Sequence, residues 1–536
     1  MDINKEIIKI KYIGMDYTKI DYAKCDTVND TKEKQDDISN LFNSDKKEKQ
    51  QKQILINFLN YLNSNASRYI VNKSDGKKFD NKKPVLYEEY NDKFMFSGVV
   101  GVISDKDFVV NKRDLDIDED GEYHFDITLQ INSRLDKKNN EELSEKPYFL
   151  STLLLDSDVK LNDDNIPNSY DELFDYLLLI WFRKYLQEAS IKGFFRTYRR
   201  FERNDDRPKG VMDVTRHIKL NMGQQNGKVA YSYRENSVDN YLNHLIVEAY
   251  EYLKRKYYNF VANNFDSNYE LKSLIDNLKI MIGYPQFSVG ELIYKNIKPI
   301  AHPFYLEYEE LRQICLKILR NEGVSVFDGN TDNETSGILF YMPDLWEQYL
   351  ERRVFDAFSS DYVASQKEIV VLKGLKDEGN GLITRPDFIF YDNEGNPFMI
   401  LDAKFKPGWD DNYNVLEDYT KCIRDTVDIN GVATGVIYPN NKASDTKNND
   451  ASEQYIKELK ISNYNSWIMF YDICIDVPYL NIDYNKWKSE FNAGIDNCRQ
   501  SVKEKVETNK LYYEKVKDSL DSLNKEREAF IHNSSK

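Results

Sequence analysis

Three charged residues stand where strands are expected to be apolar. They are Asp387, Asp402 and Lys404, within ITRPDFIFYDNEGNPFMILDAKFKP, residues 383–407. TRPDFIFYD and PFMILDAKF each read as a strand, and NEGN between them reads as a hairpin connection in which Gly395 supplies a positive φ at little cost. Centring that turn between Glu394 and Gly395 sets Asp387 directly across from Asp402. Side chains of a cross-strand pair lie about 5 Å apart. Asp402 and Lys404, two apart on one strand, share a face, and Ala403 points the other way with its carbonyl close to the same locus. Two carboxylates this close repel unless a cation sits between them. A hard divalent ion with oxygen ligands answers that need, and Mg²⁺ is the natural choice, with Mn²⁺ as a substitute. Lys404 beside it could orient or deprotonate a water, or stabilise charge on a phosphate, so metal-activated attack on a phosphodiester is a coherent reaction. The plainer reading is a solvated strand face that carries a chance Asp-x-Lys. Against it, Phe388–Phe390 and Phe398–Leu401 are continuous apolar runs typical of buried strands, where stray charge is costly.

The elements that must hold these residues belong to a long chain. Its 536 residues suggest two to four domains, and 41% hydrophobic content suffices for sizeable cores. The net charge of −16 argues against coating nucleic acid by charge alone, but not against a local positive surface or delivery to DNA by a partner. Five cysteines, none in a CxxC pair, fit a reduced, cytoplasmic chain, and five histidines without HExxH make zinc a poor expectation. Residues 1–20 mix charge throughout, unlike a signal peptide, and the apolar run YLLLIWF (176–182) is too short to cross a bilayer. Neither a phosphate loop nor GxGxxG occurs, so no nucleotide is expected on this chain itself.

Along the chain, residues 1–95 read as a polar accessory extension with one helical patch, ILINFLNYLNSNASRYIV. Alternating β-branched and aromatic residues over 96–155 predict a small β unit. Helices are expected over 169–192, with Asp171 as N-cap, then 237–253, about 268–282 and 306–321. The polar stretch 321–337 is a candidate boundary, and SGILFYMPDLWEQYLERRVFDAF is expected to open a new unit whose helix starts after Pro343 with Asp344 as cap. GVATGVIYP (431–439) reads as a buried strand. From Phe491 onward, Ile495, Cys498, Val502, Val506, Tyr513, Val516, Leu520 and Leu523 form a heptad-like seam, suited to packing on the chain's own body or to a partner-facing coiled coil.

Pro386-Asp387 followed by Asp402-Ala403-Lys404 across a hairpin resembles the PD-(D/E)xK nuclease motif. The set formed by LWEQYL, with Glu347, then the RPD strand, the LDAK strand and IYP at 437–439, resembles in its order the McrC-type subunits of McrBC-type modification-dependent restriction systems. RPKGVMDVTRHIKLN (207–221), SVDNYLNHLI and FLSTLL (149–154) extend the likeness over roughly residues 96–480. One departure stands out: after Tyr419 the family has Gln, and here there is Thr420. The resemblance implies an α/β (α+β) multidomain chain. An accessory extension (1–95) and a mixed β/helical partner-binding domain (96–330) would precede a PD-(D/E)xK restriction-endonuclease-like domain (336–490), a central mixed sheet flanked by helices, and a C-terminal helical tail (491–536). It implies metal ligation by Asp387, Asp402 and the Ala403 carbonyl, assistance by Lys404, and support by Glu347. It implies a McrB-like AAA+ GTPase hexamer as partner, double-stranded DNA as substrate, base-modified DNA included, and no membrane.

Arg196, Arg199, Arg200, Arg203, Arg207 and Lys209 form the densest basic cluster of an acidic chain. Interleaved Glu202, Asp205 and Asp206 suit a solvated, salt-bridged segment; partner contact and DNA contact are the sharper readings, and Arg207 and Lys209, inside the family-like stretch, are the partner-binding candidates. Asp213, Asp239 and Asn243 are expected to be structural, capping helices and satisfying backbone groups. Trp409 and Tyr413 are expected to cover a sheet edge. The competing functions are a non-catalytic adaptor that activates a partner NTPase and a stand-alone nuclease.

Overall fold

The structure is a computed structural model. It describes residues 7–534 apart from 16–19, 22–25, 28–46, 65–69, 72–85, 91–92, 118–120, 137–145, 156–166, 168, 224–226, 301, 321–334, 354–362, 366, 373–381, 407–414, 442–455, 460–467 and 479–482. Trp409 and Tyr413 lie outside the described residues. The chain forms two compact units, one from residues 1–157 with 326–536 and the other from 158–325. The architecture is mixed α/β.

In the first unit, β1 (Ile7–Met15) runs parallel to β3 (Glu122–Asn132), which pairs antiparallel with β2 (Val99–Asn111). Helix α1 (Lys47–Ser64) covers this sheet with Ile54, Leu55, Phe58, Leu59 and Leu62, all at most 1% exposed. Full burial of each such side chain is worth about 1.5–3 kcal/mol. The extension therefore contributes a core rather than an appendage: the alternation in IIKIKYIGM gives a strand with Ile10 and Tyr12 buried. Helix α2 (Tyr148–Leu155) is buried along its whole length.

The second unit opens with α3 (Tyr170–Ser190), where the cap is Ser169, accepting from the Glu172 N–H at 3.2 Å, two residues ahead of the expected Asp171. The Arg-rich stretch becomes β4 (Thr197–Asp205), followed by β5 (Val211–Met212), α4 (Val214–Asn221) and β6 (Val229–Ser237). β6 is central, antiparallel to both β4 and β5. Helices α5 (Tyr241–Lys256), α6 (Tyr269–Ile282) and α7 (Glu307–Arg320) follow near the expected positions. Leu242, Leu245, Ile246, Ala249 and Leu253 of α5 are buried, as their 3–4 spacing predicts.

Back in the first unit, β7 (Thr335–Tyr341) pairs antiparallel with β2, Thr335 facing Asp105 and Tyr341 facing Val99. This segment, expected to open a new unit, completes the sheet begun near the N-terminus. The approach is close: a Cβ on Gly101 would lie 2.2 Å from the Ile338 carbonyl oxygen, and one on Gly337 would lie 2.3 Å from that of Val102. Helix α8 (Met342–Arg353) starts directly after β7, so Pro343 and Asp344 lie in its first turn instead of preceding it.

A second mixed sheet follows, built from β8 (Val363–Ser365), β9 (Phe388–Tyr391), β10 (Pro397–Ala403), β11 (Ala433–Asn441), β12 (Ile456–Leu459) and β13 (Met469–Val477) in the order β8-β9-β10-β11-β13-β12. β10, β11 and β13 are parallel; the others join antiparallel. Between β10 and β11 runs α9 (Val415–Asp428), packed on one face through Cys422 against Val436, Tyr438 and Phe470. The long α10 (Tyr484–Ser534) covers the other face, where Asn509 reaches Tyr471 and Met399. The C-terminal seam divides along this helix. Ile495, Cys498 and Val502 are buried against the body, whereas Leu520 and Leu523 are 56% and 60% exposed.

Candidate active site

The hairpin register beside the site is the expected one, although the ladder shifts by one residue at the turn, where Tyr391 faces Pro397 rather than Phe398. Phe388 faces Leu401, Ile389 faces Ile400 and Phe390 faces Met399, so the ladder continued by one residue sets Asp387 against Asp402. Asp392 caps the turn, its Oδ1 accepting from the Glu394 and Asn396 amides at 2.8 Å each, and Gly395 adopts φ 82°. The period-two alternation turns Met399 and Leu401 toward α10, and Ile400 and Asp402 toward α9.

Asp387 and Asp402 are 8% and 2% exposed. Asp387 Oδ2 accepts the Ala403 N–H at 2.7 Å. Lys404 N–H instead donates to the Ile437 carbonyl at 2.9 Å, on the β11 side. A strand residue presents its N–H and C=O at the same edge, so the Ala403 carbonyl lies on the Asp387 side. Asp402 meets two ammonium groups: Lys404 in an ion pair at Oδ2, and Lys421 at Oδ1, 2.6 Å away. Oδ2 is buried and accepts no hydrogen bond of good geometry. Lys404 is also 3.8 Å from Asp418, which Lys406 holds at 2.8 Å.

The electrostatics separate the two acids. Burial pushes the Asp387 carboxyl up, and the charges of Asp402 and Glu347 push it further, well above the carboxylate range despite Lys421 and Lys404. Burial acts upward on Asp402 too, but Lys404 and Lys421 outweigh it and hold that carboxyl below its usual value. The lysines respond in kind: burial lowers each, and Asp402 raises both by more. Glu347, half-buried on α8, is thus within electrostatic reach of Asp387. Trp346 next to it is buried, its indole N–H pointing at the Ile437 carbonyl 3.5 Å away, and so pins α8 to β11.

The segment just past β10 is fixed by packing. Phe405 stacks on Phe149 of α2, and its carbonyl accepts from Arg134 at 3.2 Å. Phe149 also meets Trp346 and Phe491, so α2, α8 and α10 close round one ring.

Sequence reasoning singled out Asp387, Asp402, Ala403, Lys404 and Glu347 here and missed Lys421 and Asp418. Thr420, where the family has Gln, turns outward and donates to the Leu416 carbonyl at 2.6 Å. The inward position belongs to Lys421. Its signal was the helical spacing of Asp418, Cys422 and Asp425, all buried on one side of α9. Arg207 and Lys209 are elsewhere, exposed between β4 and β5 in the second unit. There Asp213 caps α4, accepting from the Arg216 N–H at 3.0 Å, and buried Asn243 donates to the Phe195 and Val238 carbonyls. Asp239 accepts from His244 at 3.0 Å and pairs with Arg199.

Among the described residues no group of three or more His, Cys, Asp or Glu side chains is close enough to hold a metal ion alone. A cation here would rest on two carboxylates and a backbone carbonyl. That all-oxygen set, with one acid raised by its neighbours' negative charge, fits a hard divalent ion. No helix among the described residues is long and apolar enough to cross a membrane.

A family model described as McrBC 5-methylcytosine restriction system component matches residues 117–421, a span that contains every residue of the site named above. A search of curated proteins finds no match. Among solved structures, the chain is similar to a refined half-complex from a tetradecameric assembly of Thermococcus gammatolerans McrB AAA+ hexamers with bound McrC. Identity is 14%, with 91% of this chain and 99% of that chain covered, at a TM-score of 0.42. It is also similar to the cryo-EM structure of the Thermococcus gammatolerans McrBC complex, at 15% identity, 65% and 87% coverage and a TM-score of 0.26. The family match takes in more than half of the sequence, and the chain belongs to the family of McrBC 5-methylcytosine restriction system components.

Proposed function

We propose that this chain is the Mg²⁺-dependent endonuclease subunit of a McrBC-like restriction and phage-defence complex, with a PD-(D/E)xK site, cutting DNA phosphodiesters when assembled with an AAA+ GTPase. The observation that carries the reading is the meeting of Asp387, Asp402 and Lys404 at the ends of adjacent strands in one largely buried cluster. Asp387, Asp402 and the Ala403 carbonyl would hold the cation, for which Mn²⁺ can substitute. When bound, it supplies a water of lowered pKa and neutralises charge on the phosphate. Lys404, held by Asp402, orients that water or takes charge from the phosphate. Glu347 adds negative charge on the α8 side. The partner is a McrB-like GTPase hexamer, as in the Thermococcus complexes named above, and the substrate is double-stranded DNA, base-modified DNA included. Arg207 and Lys209, exposed on the second unit, are the proposed partner contacts.

The test is Lys404→Ala in the assembled complex. Cutting should fall by about 10²–10⁴-fold, the usual worth of a proton-transfer group, while stimulation of the partner's GTP hydrolysis persists. Undiminished cutting would reject the site.

A further inference from the structure

Asp402 carries two ammonium groups where the proposed chemistry asks for one. Lys404 follows it by two residues, just past the end of β10, 18% exposed, with Asp418 as a second acid at 3.8 Å. It lies between two acids and, being mostly buried, has little freedom to leave. Lys421 comes from another element, the helix α9, and its side chain is 35% exposed. Its contact with Asp402 Oδ1 is a direct hydrogen bond of 2.6 Å. A long, flexible stem with its head near solvent can swing out at small cost.

A divalent cation bound by Asp387 and Asp402 must approach a carboxylate already neutralised twice over. Like charges a few ångströms apart in a buried setting repel by several kcal/mol even at moderate screening. The cation and both ammonium groups cannot all crowd Asp402, and the group free to withdraw is Lys421.

We propose that Lys421 is the resident counter-ion of Asp402, a placeholder that a divalent cation displaces on entry. This rests on the metal-site reading above. Lys421 is then a positioning residue: it holds the Asp402 carboxylate in place while no metal is present, and it sets how much cation is needed to load the site. Once displaced, the ammonium is left on the solvent side of the cluster, where a DNA phosphate can take it up.

The test is Mn²⁺ binding by calorimetry on the full chain, without DNA, nucleotide or partner. Lys421→Met should tighten Mn²⁺ binding by roughly tenfold, the effect of removing a competitor worth about 1.4 kcal/mol. It should also lower the melting temperature of the metal-free protein, and saturating Mn²⁺ should restore more of that temperature than it adds to the wild type. Lys421→Arg keeps a cation at Asp402 and should bind Mn²⁺ no tighter than wild type, and Lys406→Met, which removes a lysine from Asp418 and not from Asp402, should leave the affinity within about twofold. An unchanged or weaker affinity in folded Lys421→Met, with the wild type binding normally, overturns the placeholder and leaves the nuclease reading standing. Absence of Mn²⁺ binding in both proteins removes the metal site and the placeholder together.

Discussion

Asp387 Oδ2 accepts the Ala403 amide N–H at 2.7 Å, so one strand's carboxylate is tied to its neighbour's backbone one residue past Asp402. A carboxylate is thereby fixed beside the carbonyl with which it would share a cation. The cost is electrostatic. Burial, Asp402 and Glu347 all raise the Asp387 carboxyl. The folded state then binds a proton there at pH values where the unfolded chain, with its ordinary carboxylate, has released it. Stability from this group is therefore lost as pH rises from the unfolded value toward the folded one.

Asp387→Asn removes that penalty. The metal-free variant should melt higher than wild type at neutral pH, each pH unit of the upward displacement being worth about 1.4 kcal/mol, and the advantage should vanish below the ordinary carboxylate range. The same variant should bind no Mn²⁺ and cut no DNA. Thermal melts across pH, run beside a cleavage assay, decide it; a variant less stable than wild type at neutral pH contradicts the electrostatic account.

Metal affinity should rise with pH. Ligation by Asp387 requires its carboxylate form, so each bound cation releases close to one proton while the solution lies below the raised value. Calorimetry in buffers of different ionisation heat measures that release directly. Chelation by EDTA should abolish cutting, with Mg²⁺ or Mn²⁺ restoring it. Affinity that is flat with pH would mean that Asp387 is no ligand.

Arg207→Ala with Lys209→Ala should slow association with the GTPase partner and weaken its salt dependence, as loss of exposed charge does. Both side chains are exposed and neither is in the first unit, so Mn²⁺ affinity and thermal stability should stay unchanged within about 0.5 kcal/mol. Association rates measured at several ionic strengths test this; equal rates in variant and wild type assign the contact to other residues.

Phe149→Ala should be the most damaging change outside the carboxylates. The ring is fully buried among Phe405, Trp346 and Phe491. Truncation of a buried Phe costs about 3–5 kcal/mol, and here it also frees Phe405, which follows Lys404. Denaturant unfolding should show the loss, and the cleavage rate at saturating Mg²⁺ should fall more than the variant's own unfolded fraction explains.

The site was legible where local rules set it. The facing of Asp387 and Asp402 was expected from a period of two and a turn at Gly395, but the irregularity between Phe390 and Tyr391 that reconciles the turn with this register was not visible. Lys421 was not legible, because α9 reaches Asp402 only through the parallel crossover from β10 to β11, and no local pattern says which helical residue ends above which strand residue. The Arg-rich run at 197–205 was read as charge, but it pairs with β6 residue by residue, Arg200 opposite Arg234. Strand pairing there overrides an unfavourable composition, since strand preference is largely a matter of partners. The strand in IIKIKYIGM lay unread in its alternation, in which Ile10 and Tyr12 are buried.

The pairing of β7 with β2 decides where this protein can be divided. A fragment ending at residue 330 lacks Thr335–Tyr341. It would leave the Val99–Asp105 edge of β2 with its row of amide and carbonyl groups open, at the place where Gly101 admits another backbone most closely. Such an edge recruits foreign strands. Dissection of the chain into a GTPase-binding half and a cutting half therefore has to carry that seven-residue strand with the N-terminal piece, or supply it in trans, to avoid aggregation.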